Sequence, residues 1–506
     1  MLSMRPSLRR RLTKGFLGAR GMGAGENGHA IFARTILRYT AIHMTDDNRM
    51  EKIVSLCKRR GFIYPGSEIY GGFAGTWDFG PFGVELKNNI KQLWWRTFVQ
   101  GRDDMVGLDA AILMNPKAWE ASGHVSGFSD PMVEDVKTKL RYRADHVLED
   151  NGVDVHGMTP VMMDEALKSA GIKSPDGNAL SDVRQFNMMF KTEVGSQAGA
   201  ISYLRPETAG GIFLNFKNVV DSLHPKLPFG IAQIGKAFRN EIAPRDFIFR
   251  LRELEQMEIE FFVRPENWRE SFDEWQKIQL QFAEMIGLDM DHVHQVDIAP
   301  EDRAHYSKHS VDTEFDFPFG QKELWGLAYR TDYDLSAHAK ASGAALSIAD
   351  EEGKPAIVPH VIEPTFGVER SVLAVLTSAY TEDELGGEPR TYLKFNKAVA
   401  PIKAAVFPLL KNKPELVAKA REVYLMLKGQ VPQIMWDDNG NIGKRYRRQD
   451  EIGTPVCITI DFDTLGDPSN SSGQASPELK DTVTIRNRDT GGQERVSIDE
   501  LVMRIV

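Results

Sequence analysis

The chain has 506 residues, 42% of them hydrophobic and 26% charged, which is enough to bury more than one core because single cores stop growing at roughly 250 to 300 residues. Its 62 basic and 71 acidic residues leave a formal charge of −9, which excludes a generally polybasic protein but not a nucleic-acid ligand met by a local basic face. The two cysteines, Cys57 and Cys457, are too far apart in sequence for a Cys-x-x-Cys zinc or redox spacing, and no run of about 18 apolar residues supports a membrane span.

Residues 1–43 hold eight Lys or Arg against the single acid Glu26. An Arg-rich, acid-poor start is read either as an organellar transit peptide or, because Met44 opens Met-Thr-Asp-Asp-Asn, as an over-extended frame; in both readings it is a basic, disordered extension. Gly21-Met-Gly23-Ala-Gly25 follows no strand-like run, so it reads as part of that disorder rather than as a dinucleotide loop. Met50, Ile53, Val54, Leu56 and Cys57 predict a helix over 49–60 that ends at Gly61. After a glycine- and aromatic-rich stretch from Gly66 to Gly83, Leu86, Ile90, Leu93, Trp94 and Phe98 predict an amphipathic helix whose apolar face suits a core or a subunit interface. The apolar run Leu108–Met114 predicts a buried strand left at Asn115-Pro116.

Residues 124–200 are polar, with a turn at Lys173-Ser-Pro-Asp-Gly-Asn178, and predict an insertion. Residues 201–263 and 323–375 alternate strand-like runs with Gly and Pro, as a mainly antiparallel sheet does. Beyond residue 398 the order becomes β, α, β, β (Ala404–Leu410, Pro414–Lys428, Gln433–Trp436, Thr454–Phe462), and Asp463–Lys480 reads as a loop. The expected fold is α+β: an extension at 1–43, a main domain at 44–398 with its insertion at about 124–200, and an α/β domain at 399–506.

Glu258 and Glu260 alternate with Met257 and Ile259, so both carboxylates share one face of a strand. Charge on such a strand is costly unless a ligand or partner pairs it; the alternative is a solvated face with ion pairs. His305 and His309, with Glu301 further back, predict an exposed charged helix rather than a metal site. Lys444-Arg445-Tyr446-Arg447-Arg448 interleaves cations with an aromatic ring, which suits unpaired bases and phosphate, or else a solvated loop.

Phe238-Arg239-Asn240-Glu241, within the run Phe229–Phe262, resembles motif 2 of the class II aminoacyl-tRNA synthetases; Ile362–Arg370 resembles motif 3 and Glu85–Pro116 motif 1. Within that class, Tyr64–Gly72, Arg205-Pro-Glu-Thr-Ala-Gly210, Trp325–Asp334 and Gly443–Pro455 are similar to the bacterial-type homodimeric glycyl enzymes, from about residue 49 to the C-terminus. The resemblance implies glycine activation by ATP, with Mg²⁺, to glycyl-adenylate and pyrophosphate, transfer to the 3′-terminal adenosine of tRNA(Gly), a homodimer, and a cytoplasmic location (mitochondrial or plastid if residues 1–43 are a transit peptide). Its class II alternative is a non-catalytic accessory subunit that binds nucleic acid.

The resemblance also implies site roles. Arg239 holds the α-phosphate, where a planar guanidinium can offer two donors, Arg370 covers the adenine and reaches the γ-phosphate, and Glu241 faces the adenine amino group. These three are the expected catalytic residues. Asn240, Phe249, Arg250, Leu251, Arg252, Glu253, Leu254, Glu323, Leu324, Gly367, Val368 and Glu369 complete the ATP site, with Glu323 the Mg²⁺ ligand. Glycine's ammonium falls to Glu207, Glu258 and Glu363, with Arg143, Arg330 and Thr365 near and Leu254, Glu255, Gln256, Met257, Pro364, Phe366 and Gly367 around it. Lys444, Arg445, Arg447 and Arg448 are expected to meet tRNA. Two departures stand out: Glu134–Thr138 and Ser174–Gly177 lack the paired cysteines of some relatives, so no zinc is expected, and Gly210 stands where glutamine is expected.

Overall fold

The computed structural model describes residues 48–196, 199–349, 355–466 and 477–505; the extension at 1–43 and part of the loop Asp463–Lys480 lie outside the described residues. By chain contacts the molecule divides into two units, one holding residues 48–52 and 129–186 and the other residues 53–128 and 187–506.

Helix α1 (Arg49–Arg60), which enters the larger unit at Ile53, buries Ile53, Leu56 and Cys57 and ends at Gly61, whose φ of +78° suits a residue without Cβ. Helix α2 (Pro81–Trp95) has proline in its first turn and continues as a wider turn to Gln100. A Cβ at Gly83 would lie 1.9 Å from the Phe62 carbonyl, so only glycine allows this approach. Leu86, Ile90, Trp94 and Phe98 are buried, as their spacing requires.

The strand expected at Leu108–Met114 forms only before that run, as β1 (Met105–Gly107). Past Leu108, whose N–H reaches the Ala232 carbonyl at 2.8 Å, the chain leaves the sheet, and the Arg205 guanidinium takes the Ala110 carbonyl at 2.8 Å. Backbone satisfied by a side chain has no need of a ladder. Asn115-Pro116 then opens a helix, Pro116–Ala121, with the Asn115 side chain capping the Lys117 N–H at 3.0 Å.

Helix α3 (Ala209–Leu223) leads to β2 (Phe229–Phe238) and β3 (Glu253–Val263), followed by α4 (Trp268–Met285), β4 (Val293–Asp297), β5 (His309–Phe317), β6 (Gly320–Thr331), β7 (His360–Gly367) and α5 (Val368–Ala379). These strands form one sheet in the order β4-β5-β6-β7-β3-β2-β1, antiparallel except for β1 against β2. Met257, Ile259 and Phe261 of β3 face one side, where Trp94, Phe98, Trp275, Phe282, Trp325 and Phe366 pack ring on ring. On the other side α3 covers one end of the sheet through Phe213, Phe216, Phe229 and Phe262, and the rest of that face carries the clefts described below. Both faces of β3 are thus covered. Glu258 and Glu260 are 2% and 0% exposed, so the solvated-face reading is overturned. His305 lies in a loop and His309 begins β5, so the helix expected there does not form.

Residues 129–186 have their own core, built on Val133, Leu148, Met163 and Leu167, beside a three-stranded sheet. Its two cysteine-free stretches meet at Asp135, whose carboxylate accepts from Lys137 N, Thr138 N, Ser174 Oγ and Asn178 Nδ2 at 2.6–3.0 Å. Burial opposes ionisation there, but these donors, Ser174 foremost, hold the carboxyl well below its ordinary range.

The last five strands, β8 (Ala404–Pro408), β9 (Ile434–Trp436), β10 (Val456–Ile460), β11 (Thr482–Asn487) and β12 (Gln493–Ser497), form a sheet in the order β9-β8-β10-β11-β12. Helix α6 (Pro414–Gln430) packs Leu416, Ala420, Val423 and Leu427 into its core. A second helix, α7 (Ile442–Ile452), is capped by Asn441 and stopped by Gly453, and it carries the basic run Lys444–Arg448.

Candidate active site

Two adjoining clefts open on the face of the sheet that α3 leaves uncovered, and they share Arg239, Gln256, Glu323, Gly326 and Thr365 as walls. Strand alternation selects the side chains. Gln256 and Glu258 of β3 and Glu363, Thr365 and Gly367 of β7 point into the clefts.

The larger cleft, about 410 Å³, is acidic. Glu258 accepts from the Thr208 N–H at 3.0 Å, from the Thr208 hydroxyl, and from the Thr365 hydroxyl at 3.1 Å. Glu363 accepts from Arg330 Nη1 at 2.7 Å, while the other donors of Arg330 fork onto Asp334 at 2.8 Å each. The Arg330 guanidinium is sandwiched between Tyr306, 3.7 Å from its ring centre, and Phe213 at 5.3 Å. Glu207 lies 3.4 Å from His124 Nε2. Glu260, just behind, is wholly buried, and neither of its oxygens has a partner.

So many acids around one arginine cannot all ionise. Burial, reinforced by Glu207, pushes Glu258 up; burial and Glu363 push Glu260 well up; burial outweighs Arg330 and pushes Glu363 up to about 8. Glu207 goes the other way. Burial opposes its ionisation, but His124, Arg330 and Arg239 bring it down to about 2. A small cation in this cleft would let the protonated acids ionise.

The other cleft is lined by Arg239, Glu241, Phe249, Arg250, Glu323 and Arg370, with Leu251, Leu254, Leu324 and Gly367 among its walls. Arg239 Nε donates to the Pro206 carbonyl at 3.1 Å, its guanidinium lies 5.7 Å from the Phe128 ring centre, and the residue lines both clefts. Arg370 lies over the Phe249 ring at 4.4 Å and is 3.1 Å from the Glu323 carboxylate. That cation, against the opposing effect of burial, holds Glu323 below its ordinary range. Glu241 is 3.6 Å from Arg250. Among the described residues no group of three His, Cys, Asp or Glu could hold a metal by itself. Glu323 can supply one hard oxygen donor to an ion completed by phosphate and water, which is how Mg²⁺ is commonly held.

Several expected site residues lie elsewhere. Glu253 pairs with Lys236, Glu255 with Lys87 and with Lys91 at 3.0 Å, and Met257 is in the aromatic core, all on the opposite face of β3. Pro364 and Phe366 alternate away from the cleft on β7, and Val368 is in the core. Glu369 borders the arginine-lined cleft but is bound to Lys87 at 2.9 Å and the Glu255 N–H at 2.8 Å. Arg252 spends its guanidinium on the Ala74 and Glu241 carbonyls, and the Asn240 N–H reaches the Met188 carbonyl at 2.8 Å. Arg330, 1% exposed, stands behind Glu363 rather than in the cleft. Arg143 belongs to the other unit, where Asp130 and Asp145 engage it at 2.7 and 2.6 Å.

On α7, Arg445 is 1% exposed and donates to the Pro408, Asp438 and Gly440 carbonyls, so it is a structural tie rather than an RNA contact. Arg448 forks onto Asp437 at 2.6 and 2.8 Å, while Lys444 and Arg447 are exposed. Conversely, His124, Thr208, Tyr306 and Asp334 were missed. Asp334 stands four positions beyond Arg330, just past the end of β6 and within the Trp325–Asp334 motif, a usable signal; His124 sits in polar sequence and offers none. At Gly210 a Cβ would meet the Trp119 ring at 3.0 Å, which accounts for glycine where a side chain was expected.

Two family models match, in chain order: the class II tRNA synthetase core domain (G, H, P, S and T) over residues 190–379, and the anticodon binding domain over residues 403–506. The chain is 48% identical over 496 residues to the glycine–tRNA ligase of Deinococcus radiodurans, covering 89% of this chain and 97% of that one. It is 49% identical over 468 residues to that of Lachnospira eligens (90% and 98%), and 49% over 474 residues to that of Clostridium tetani (91% and 99%). Such identity over nearly the full length of these relatives, with the motif 2 and motif 3 arginines facing one cleft, makes the chain a member of the glycine–tRNA ligase family of class II synthetases.

Proposed function

We propose that the two joined clefts divide the activation of glycine between them, the acidic one taking the amino acid and the arginine-lined one taking ATP. The ammonium sits among Glu207, Glu258 and Glu363, which turns the glycine carboxylate toward the shared wall at Arg239. A carboxylate oxygen attacks the α-phosphorus in line, pyrophosphate leaves, and Arg239 meets the charge that develops on the α-phosphate oxygens. Adenine enters between Phe249 and Arg370. That slot is now closed at 4.4 Å, whereas a ring between them needs roughly 7 Å, two contact layers of about 3.5 Å each, so Arg370 swings outward as ATP binds. Glu323 would hold Mg²⁺, which would supply further positive charge to the phosphates. In the second step the 3′-terminal adenosine hydroxyl of tRNA(Gly) attacks the adenylate carbonyl and AMP leaves.

We assign residues 44–398 to catalysis and 399–506 to the anticodon, with Lys444, Arg447 and Arg448 as the cations left for RNA on α7. A homodimer and a cytoplasmic location go with this reading, or an organellar one if residues 1–43 act as a transit peptide. The observation that carries the assignment is a closed set of carboxylates, each with its own support, around a cleft suited to a small ammonium. Pyrophosphate exchange into ATP, run with each amino acid in turn, tests it: exchange with glycine is expected, and exchange with another amino acid but none with glycine overturns it.

A further inference from the structure

Each of the three carboxylates assigned to the ammonium is oriented by a different device. Two threonines fix Glu258 and an arginine fixes Glu363. For Glu207 the only side chain within ion-pair reach among the described residues is His124, at 3.4 Å. The histidine is itself held on every side. Its Nδ1 is 2.8 Å from the Ser122 hydroxyl, the ring centres of Trp119, set edge to face, and of Phe128 lie 5.3 and 5.7 Å from its own, and the His124 and Val125 carbonyls accept from the Asn187 amide. Trp119 can approach so closely because residue 210 has no side chain.

We infer that His124 is the positioning residue for Glu207, and through it for glycine: Ser122 fixes the ring and the Nε2–H holds the carboxylate in the one orientation that faces the ammonium. In either protonation state of the ring Nε2 carries the donated hydrogen, while Nδ1 accepts from the Ser122 hydroxyl in one state and donates to it in the other. Glycine has no side chain to fix its place, so the direction of each ammonium contact decides where the carboxylate lands, and a misplacement of about 1 Å can cost two orders of magnitude.

The inference rests on Glu207 being an ammonium ligand, and two substitutions that differ only in reach test it. The amide of His124→Asn takes the place of Nδ1 and keeps the Ser122 contact but stops short of Glu207; that of His124→Gln reaches the Nε2 position. Measured by pyrophosphate exchange, His124→Asn should raise the glycine KM about tenfold with the ATP KM and melting temperature of the parent, whereas His124→Gln should stay within about twofold. Added to Glu207→Gln, His124→Asn should have no further effect on the glycine KM. Ser122→Ala, which keeps the ring but frees Nδ1, should give a smaller rise in the same constant. If Glu207→Gln alone leaves the glycine KM unchanged, the reading of Glu207 as a ligand is wrong. If Glu207→Gln raises it while His124→Asn and His124→Gln behave alike, or while the two effects simply multiply, Glu207 binds glycine without the help of His124 and the inference is overturned.

Discussion

Two clusters of buried charge in this chain are built in opposite ways. In the C-terminal region Arg486 forks onto Asp450 at 2.7 and 2.9 Å and Arg390 onto Asp383 at 2.8 and 2.6 Å, while Arg488 takes the Gly453 and Phe395 carbonyls. Every cation there has a carboxylate or carbonyl. Around the acidic cleft Glu258, Glu260, Glu363 and Asp334 gather about one buried guanidinium, Arg330, and Glu260 has no hydrogen-bond partner among the described residues. Buried ions cost several kcal/mol each unless paired, so the first cluster is finished by folding and the second is left short of positive charge. The shortfall marks where a cationic ligand belongs.

The comparison breaks most severely at its two hubs. Arg330→Met leaves Glu363 and Asp334 buried without their cation and should cost about 3–5 kcal/mol in urea unfolding; Asp450→Leu should cost a similar amount by stranding Arg486. The two should respond to glycine by different amounts. Added glycine stabilises any folded form that binds it, so Asp450→Leu, whose acidic cleft is intact, should gain no more than the parent does, whereas in Arg330→Met the ammonium also stands in for the lost cation and the gain should exceed the parent's. Equal responses would remove the distinction drawn between the clusters.

Next in size is Arg239→Ala. Loss of a preorganised donor at developing charge typically lowers turnover by roughly 10²- to 10³-fold, and that is the expected drop in pyrophosphate exchange, at parent stability because among the described residues this side chain makes one hydrogen bond, to the Pro206 carbonyl. Full activity in the variant would take Arg239 out of the reaction. A smaller change follows from Glu258→Gln, which keeps shape and removes charge: the glycine KM should rise about tenfold, the ATP KM should hold, and the preference for glycine over alanine should narrow. A variant with the parental glycine KM would mean that Glu258 serves Thr208 and Thr365 alone.

How far the site was legible in the sequence follows from what a motif encodes. Alternation along a strand gave the right faces for Glu258 and Met257, because the period of two is fixed by backbone geometry. Windows of consecutive residues, by contrast, swept Glu255, Pro364 and Phe366 into the glycine site although every second side chain must point away. Arg445 was misjudged for a related reason: α7 has too few apolar residues to show a helical period, so nothing revealed that this arginine lies on its inner face. His124 was out of reach, since its role depends on Glu207 across 83 positions of chain and a polar neighbourhood gives no periodic signal.

The least perturbing test of the charge shortfall is made with protons. In the free protein burial holds Glu363 near 8 and raises Glu258 and Glu260 as well, so at pH 7 this cluster carries protons that an unfolded chain would release near 4.5. A group whose folded value is raised binds more protons folded than unfolded. Its contribution to stability is therefore full below about 4.5, declines as pH climbs, and is gone above about 8. The ligand-free protein should lose stability across that window, and Glu363→Gln, which cannot titrate, should flatten the slope. Glycine acts against this trend. Its ammonium favours the ionised acids, lowers their proton affinity and expels protons on binding, so the glycine affinity should strengthen as pH rises toward 8 while the ammonium stays charged. Titration calorimetry at pH 7 in two buffers of different ionisation heat reads the released protons directly, and a release close to zero would mean that the acids around Arg330 are already ionised before glycine arrives.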